Sequence, residues 1–275
     1  MFSGYDFIYD GKSSISENLK LLYVDSNAFE SVKGIPDRTI NTYHANRSSK
    51  WRISGVTIDE PLSFPIQILL HGDGEDEYEK INPVAKRNRL SRITHWLFDT
   101  TGYKKFQILT DDLRDLYFMA ILKDVEYLTN GGEVYGFSAT VLCDTIGAWE
   151  EKTITKRFTG TPTDVKNFYI QVLQDGIYEV APTYIIKVDK ANTFDLAINN
   201  SDGFILRHLV EGSTITIDTE RLIATSDVPD DNLYVGDKFD RGFPRLKYGK
   251  NTFGISVDGT VTFTIKYKSI REVGC

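Results

Sequence analysis

Short segments with alternating apolar and polar residues fill the second half of the chain. This pattern limits the possible folds of the chain more than any other feature of the sequence. The segments are residues 168–173, 183–188, 193–198, 204–209, 214–217, 252–257 and 260–268. Alternation with a period of two buries one face of a strand and leaves the other toward solvent. Regular short strands separated by glycine-containing turns indicate a β-sandwich.

The dipeptide Asp258-Gly259 is the strongest local turn signal in the sequence. It separates two of the alternating segments, and Asp-Gly tolerates the positive φ angles of a primed two-residue turn. The sequence therefore predicts a two-residue β-hairpin formed by residues 252–257 and 260–268.

The first half combines strands with one helix. The strand candidates are residues 51–58, 64–70, 103–109, 115–129 and 133–143. The turn signal Asn130-Gly131-Gly132 lies between the last two and predicts a hairpin there. Around residues 146–156 the pattern changes, and no comparable helix signal follows. We therefore predict two domains, 1–149 and 150–275, and a mainly β protein with one helix.

The helix candidate is residues 86–98. Its apolar stripe, at three- and four-residue spacing, consists of Leu90, Ile93 and Leu97. The other side carries Arg89, Arg92 and His95. We interpret this basic side as a solvated face; the alternative is a contact between subunits that pairs with the acidic stretch at residues 72–80.

Composition excludes several classes of function. The 275 residues carry a formal net charge of −7, which would repel a nucleic acid rather than hold it. Cys143 and Cys275 are too few for a disulfide framework, so we predict a reducing compartment and a buried, inert Cys143. The sequence predicts neither a signal peptide nor a membrane-spanning segment.

No motif for catalysis, cofactor binding or metal binding is found, and we predict a protein that is not an enzyme and has no cofactor. The four histidines lie in unrelated segments and are interpreted as ordinary surface side chains. A second acidic loop is weakly compatible with a cation or a sugar; its members are Asp227, Asp230, Asp231, Asp237 and Asp240.

Several segments, taken in order, resemble the distal tail proteins of long-tailed bacteriophages, which form the hub of the tail tip or baseplate. They are SRITHWL at 91–97, DDLRDLYFMAIL at 111–122, FSATVLC at 137–143, AINNSDGFIL at 197–206, EGSTITIDTERLIA at 211–224 and the run from FPRLKYG to FTIKY at 243–267. The last run includes the family pattern L-x-x-G-x-N, here Leu246, Gly249 and Asn251.

The resemblance implies a structural virion protein assembled in the host cytoplasm. Its N-terminal domain would form a homohexameric ring between the tail tube protein and the tail-tip hub protein, with DNA passing through the lumen without specific binding. Its C-terminal domain would be a galectin-like or carbohydrate-module-like β-sandwich that carries receptor-binding or side-fibre proteins. The resemblance implies no membrane partner.

Two other functions remain open from the residues alone. A glycan-binding module would need an exposed aromatic ring, for which Tyr184, Tyr234 and Tyr248 are candidates, although the sequence favours packing in the core as the role of each. A glycan hydrolase of the tail would need two carboxylates in one cleft, one of them with a shifted pKa.

Overall fold

The computed structural model describes residues 5–22, 38–44, 50–58, 60–70, 83–99, 101–111, 113–160, 166–229, 231–240 and 242–273. In these ranges the chain is mainly antiparallel β-sheet with one α-helix, which confirms the predicted fold class. It divides into two compact units, Met1–Trp149 with Glu272–Cys275, and Glu150–Arg271. The galectin-like character of the second unit stays a prediction.

The first unit contains strands β1 to β9, the helix α1 and the start of β10. Their bounds are β1 Phe7–Tyr9, β2 Lys12–Ser13, β3 Leu19–Leu22, β4 Arg38–His44, β5 Trp51–Ile58, β6 Ser63–Leu70, α1 Pro83–Phe98, β7 Lys104–Ile108, β8 Leu116–Asn130, β9 Glu133–Cys143 and β10 Ala148–Thr159. The main sheet follows the order β3-β6-β9-β8-β7-β1-β2, and β4 pairs only with β5.

The core of the first unit lies between this sheet and α1. The helix buries Ile93 and Leu97 completely, as its apolar stripe predicts. Strand alternation supplies the rest, since every second residue is buried from Phe64 to Ile68 of β6 and from Phe137 to Cys143 of β9. Cys143 belongs to this core and has no exposed surface, so its predicted role as a small buried side chain is confirmed.

The second unit is a sandwich of two antiparallel sheets. Its remaining strands are β11 Lys166–Gln174, β12 Thr183–Lys190, β13 Thr193–Ile198, β14 Asp202–Arg207, β15 Thr214–Asp218, β16 Ile223–Ser226, β17 Phe239–Asp240, β18 Gly249–Val257 and β19 Thr260–Arg271. One sheet has the order β11-β18-β13-β14-β17, and β16-β15-β12-β19-β10 form the other. Inward-facing residues of both sheets share one core.

The predicted hairpin across Asp258-Gly259 is wrong. Strand β18 pairs with β11 and β13, whereas β19 pairs with β12 in the opposite sheet. Neither residue of the dipeptide has a positive φ. The Asp258 carboxylate instead accepts hydrogen bonds from the backbone amides of Asn192 and Thr193, both at 2.9 Å. The segment therefore crosses between the two sheets and is anchored to the β12–β13 connection.

The turn predicted between β8 and β9 is confirmed, because Gly131 and Gly132 both have positive φ angles and the flanking strands pair. Strand β10 was missed, since its sequence keeps only scattered apolar residues and most of its side chains are not buried.

Candidate assembly surfaces

The basic side of α1 is partly an internal contact, and its interpretation as a solvated face is wrong for Arg89 alone. Arg89 is buried, and its guanidinium donates to the carbonyl oxygen of Glu17 at 2.8 Å. Arg92 donates to the Glu17 carboxylate at 2.9 Å, and Lys12 pairs with the same carboxylate. The side chains of Arg92 and His95 stay mostly exposed, at 59% and 77%, and His95 contacts Asp99. The acidic stretch at 72–80 lies outside the described residues.

Burial by itself would raise the pKa of Glu17, but hydrogen bonds from Arg92 and Lys12 lower it below its ordinary value. The carboxylate therefore stays ionised and ties the short 3₁₀ turn Ser14–Glu17 to the helix. Basic residues at helical spacing indicated a polar side, but they did not indicate that Glu17, far away in the sequence, would pair with it.

An open groove lies beside the helix in the first unit, with a volume of ≈ 560 Å³. Its apolar part comprises Leu90 and Phe98, and Tyr127 of β8 lines it from the sheet side. Polar side chains complete the lining; they are Arg87, Ser91, Thr94, His95 and Asp99. A groove of this kind, apolar inside and polar around it, resembles the centre and rim of a protein interface.

Strands β4 and β5, here called the hairpin, form a separate two-stranded sheet. Apart from Gly55 and Ile58, each hairpin residue whose burial is described is exposed. Its large apolar side chains are Trp51, 70% exposed, Ile53, 66%, Ile40, 57%, and Tyr43, 46%. An isolated two-stranded sheet is marginally stable in water, so a surface of this kind needs a partner.

The tip of the β8–β9 ribbon, residues 123–135 and here called the arm, is the second exposed element. Val125, Tyr127 and Tyr135 are exposed there. Two register shifts in the β8–β9 pairing and the positive φ of Asp124 bend the ribbon where it leaves the core. The arm also carries Asp124, Glu126 and Glu133 against a single lysine, Lys123.

Strand β11 is an edge of the five-stranded sheet in the second unit. Its nine residues pair with β18 in continuous register, and they contain no proline. Tyr169 and Leu173, which are 72% and 61% exposed, point outward on the same face. Proteins usually protect such an edge with charges, prolines or bulges, because its free backbone groups can pair with another strand. Strand β11 has none of these beyond its first residue.

An ionic network occupies the ends of β10, β11 and β19 within the second unit. Lys152 contacts Glu150 and Asp175, each at 3.1 Å, and Arg271 contacts the same two carboxylates. Partial burial by itself would raise the pKa of Asp175, but hydrogen bonds from Lys152 and Arg271 lower it. A general acid for glycoside hydrolysis needs a raised pKa, so Asp175 does not fit that role.

The family pattern L-x-x-G-x-N has a structural role. Asn251 is fully buried, and its amide donates to the carbonyl oxygens of Lys247 and Gly249 at 2.7 and 3.1 Å. Its side-chain oxygen accepts from the Lys247 amide at 3.1 Å. Gly249 has a φ of +88°, which few other residues adopt. The pattern therefore shapes the loop that enters β18.

The three tyrosines proposed as glycan ligands lie in different surroundings. Tyr184 is fully buried, and its hydroxyl donates to the Pro244 carbonyl oxygen at 2.9 Å, so it cannot stack on a sugar and is no longer a candidate. Tyr234 is 37% exposed, and its hydroxyl oxygen accepts from the Ala224 amide. Tyr248 is 73% exposed.

The acidic loop is held by internal contacts. Asp227 accepts from the Thr214 amide, Asp231 pairs with Lys238 at 2.7 Å, and Asp237 contacts His208 at 3.3 Å. Asp230 is not among the described residues. In the part of the chain that the structure describes, no three acidic, histidine or cysteine side chains are placed to hold a metal ion. Nor does any described helix combine the length and apolarity needed to cross a membrane.

The three exposed elements were missed by sequence reasoning, which recognised several of their strands but not their exposure. A usable signal was present in the hairpin, because Trp51 and Ile53 alternate with Arg52 on one strand and Lys50 directly precedes that strand. Nothing in the alternation of β11 separates an edge strand from a central one.

The fold described above is that of a phage distal tail protein. The chain is similar to the Dit protein (gp 19.1) of phage SPP1, described as a paradigm of the hub adsorption apparatus in phages that infect Gram-positive bacteria. The TM-score is 0.63 at 10% identity, over 97% of this chain and 99% of that chain. Chains of the phage P2 baseplate in its activated conformation, with Ca and with Sr, give TM-scores of 0.46 and 0.47 at 11% and 10% identity, covering 98% of this chain and 99% of theirs.

Two family models match consecutive parts of the sequence. One, described as a phage tail protein N-terminal domain, matches residues 2–145, and the other, a phage tail C-terminal domain, matches residues 148–267. The chain therefore belongs to this family of phage tail proteins, and the resemblance noted in the sequence is confirmed. No curated protein sequence matches it significantly.

Proposed function

We propose that the protein is the distal hub of a phage tail: a scaffold, without catalytic activity, whose first unit forms a six-membered ring around a channel. The single observation that carries the proposal is membership of the phage tail family over both halves of the chain, together with the fold of a distal tail protein. The proposed neighbours along the tail axis are the tail tube protein and the tail-tip hub protein.

Two properties of the chain support a ring of this kind. The hairpin and the arm expose large apolar side chains in the first unit, which contacts between copies would cover. The net charge of −7 would let DNA pass through a central channel without adhering to its wall.

We propose that the second unit carries a receptor-binding or side-fibre protein, and that β11 is the place of attachment. A strand added to the free edge of β11 would satisfy its backbone groups, while Tyr169 and Leu173 would be covered by the partner. The replacement Tyr169→Asp with Leu173→Asp should abolish capture of that partner from a phage lysate and leave ring formation unchanged. The control is Lys187→Asp, which places the same new charge at an exposed residue of β12.

Ring formation is tested by light scattering of the purified chain mixed with the tail tube protein of the same phage. The expected result is a species containing six copies of the 31.2-kDa chain. A chain that stays monomeric at micromolar concentration in the presence of the tube protein would contradict the proposal.

Binding of host glycans is the second candidate function, and one observation favours it. Tyr248 exposes 73% of its surface next to the loop shaped by Asn251, and exposed rings of this kind stack on sugars. If the function is correct, binding on a glycan array should be lost in Tyr248→Ala and retained in Tyr178→Ala, which removes another exposed tyrosine of the same unit.

A further inference from the structure

The hairpin and the arm are complementary in the properties that govern association, and we infer that they are the two halves of one interface between neighbouring copies. The hairpin of one copy docks on the arm and the adjoining groove of the next. This inference rests on the proposed ring and assigns the surfaces that close it.

Apolar exposure gives the first reason. Trp51 and Ile53 are adjacent positions on one face of β5 and are the most exposed apolar side chains among the described residues of the first unit. They form a compact projecting pair, with the His44 ring 5.3 Å from the Trp51 ring. Large aromatic side chains that enter a pocket are the usual anchors of protein interfaces.

The groove provides a receiving surface of matching character. Leu90 and Phe98 supply apolar lining, and Tyr127 forms the side that continues into the arm. The Tyr127 ring lies 5.5 Å from that of Phe137, which is in turn 5.4 Å from Phe98. Tyr127 is therefore packed against the buried ring of Phe137, which holds it in place beside the groove.

Charge gives the second, independent reason and identifies the occupant. The described hairpin residues and Lys50 include no acidic side chain, whereas the arm carries Asp124, Glu126 and Glu133. Within one copy Asp124 pairs with Lys123 and Glu133 with Lys86, but neither Arg52 nor Glu126 has an ion pair with another described residue. Attraction between opposite charges favours contacts between a hairpin and an arm. Repulsion between like charges disfavours contacts between two hairpins or between two arms.

The symmetry of the assembly follows from this preference. A contact between two different patches of the same chain is heterologous, and repetition of such a contact generates a ring when the rotation closes. A contact between identical patches would instead give a two-fold dimer. The complementary pair therefore fits a ring made of copies of this chain.

Charge reversal with rescue tests the pairing. Arg52→Glu and Glu126→Lys, each alone, bring like charges together, and we expect each to weaken association per contact by about 10-fold or more. The double variant Arg52→Glu with Glu126→Lys restores opposite charges and should recover most of the ring. Sedimentation velocity with the tail tube protein present measures the fraction of assembled chain. Lys187→Glu in the second unit is the control and should behave as wild type.

The outcomes separate this inference from the proposed function. The pairing is wrong, while the hub proposal stands, if wild type forms rings and neither single reversal weakens them. The same conclusion follows if both single reversals weaken the rings and the double variant does not restore them. If wild type forms no ring under any condition with the tube protein, the hub proposal itself fails, and the pairing fails with it.

Disulfide trapping provides a readout that does not depend on closed rings. Cys275, which lies outside the described residues, is replaced by serine, and Cys143 is unreactive because burial and the neighbouring Asp144 raise its pKa to about 12. A chain with Trp51→Cys mixed with a chain with Tyr127→Cys should then form mixed disulfide dimers in excess over either self-paired dimer. Equal yields of mixed and self-paired dimers would overturn the inference.

Discussion

At the scale of single residues, the family pattern is explained by backbone geometry. Asn251 makes three hydrogen bonds to the loop at Lys247 and Gly249 from a fully buried position. Alanine there would remove three partly buried hydrogen bonds, each of which contributes about 1 kcal/mol to stability. We expect Asn251→Ala to lower the free energy of unfolding in urea by about 3 kcal/mol. Asn192→Ala, at an exposed position, should change it by less than about 0.5 kcal/mol.

The ionic network predicts a dependence of stability on pH. Because the folded state lowers the pKa of Asp175, the contribution of this carboxylate is present above the unfolded pKa of about 3.9 and is lost as pH falls through the lower folded value. We expect Asp175→Asn to be less stable than wild type at pH 7, and the difference to shrink between about pH 5 and pH 2. Urea unfolding across this pH range measures the difference in the free energy of unfolding between wild type and Asp175→Asn.

A matched variant controls for charge alone. Asp111→Asn removes a carboxylate that is fully exposed and lies 3.8 Å from Arg114, so it should leave the pH profile unchanged. A difference between wild type and Asp175→Asn that stays constant with pH would show that the network does not depend on the ionised carboxylate.

At the scale of secondary-structure elements, the segment between β18 and β19 depends on close backbone packing. A Cβ at Gly259 would lie 1.9 Å from the Lys190 carbonyl oxygen and 2.7 Å from the Ala191 Cα. Because backbone atoms cannot move aside easily, we expect Gly259→Ala to destabilise the protein by about 1–3 kcal/mol. Thermal unfolding measures the effect. In the same experiment Gly102→Ala, with nothing within 4 Å of the added Cβ, should be close to neutral.

Sequence predicted the helix and most of the longer strands, because burial on one face leaves a period in the residues, but β1 to β4, β10, β16 and β17 were not predicted. It identified α1 from Leu90, Ile93 and Leu97, and most strands of the sandwich from alternation. The sequence did not show in the same way which strands pair with each other. Asp258-Gly259 is a correct sign of a sharp change of direction, but which sheet β19 joins depends on contacts with β12, more than seventy residues earlier.

The candidate surfaces were less predictable than the fold. Alternation indicates which side chains of a strand share a face, and it does not show whether another element covers that face. Tyr184 and Tyr248 have the same side chain, yet one is a central core residue and the other is among the most exposed in the chain. For Arg89 and Arg92 the missing information was the position of Glu17, which only the folded chain brings to the helix.

At the scale of the whole molecule, the two units have separate cores. The core cluster of the second unit lies entirely between Phe158 and Tyr267. We therefore expect a fragment of residues 150–271 to fold alone, with one cooperative unfolding transition and dispersed amide signals in its NMR spectrum. A shorter fragment ending at residue 267 lacks Arg271 and should be less stable, because Glu150 and Asp175 lose one of their two cations. A noncooperative transition for the longer fragment would contradict this prediction.

The measurement that tests the central claim most directly is the rotational symmetry of this chain at the end of the tail tube, determined by electron cryomicroscopy of tubes assembled with the purified protein. We expect a six-fold ring of first units around an open channel, with hairpins contacting arms and the second units free to bind an outer partner. Tube ends without the protein, or particles in which it forms two-fold dimers, would contradict it.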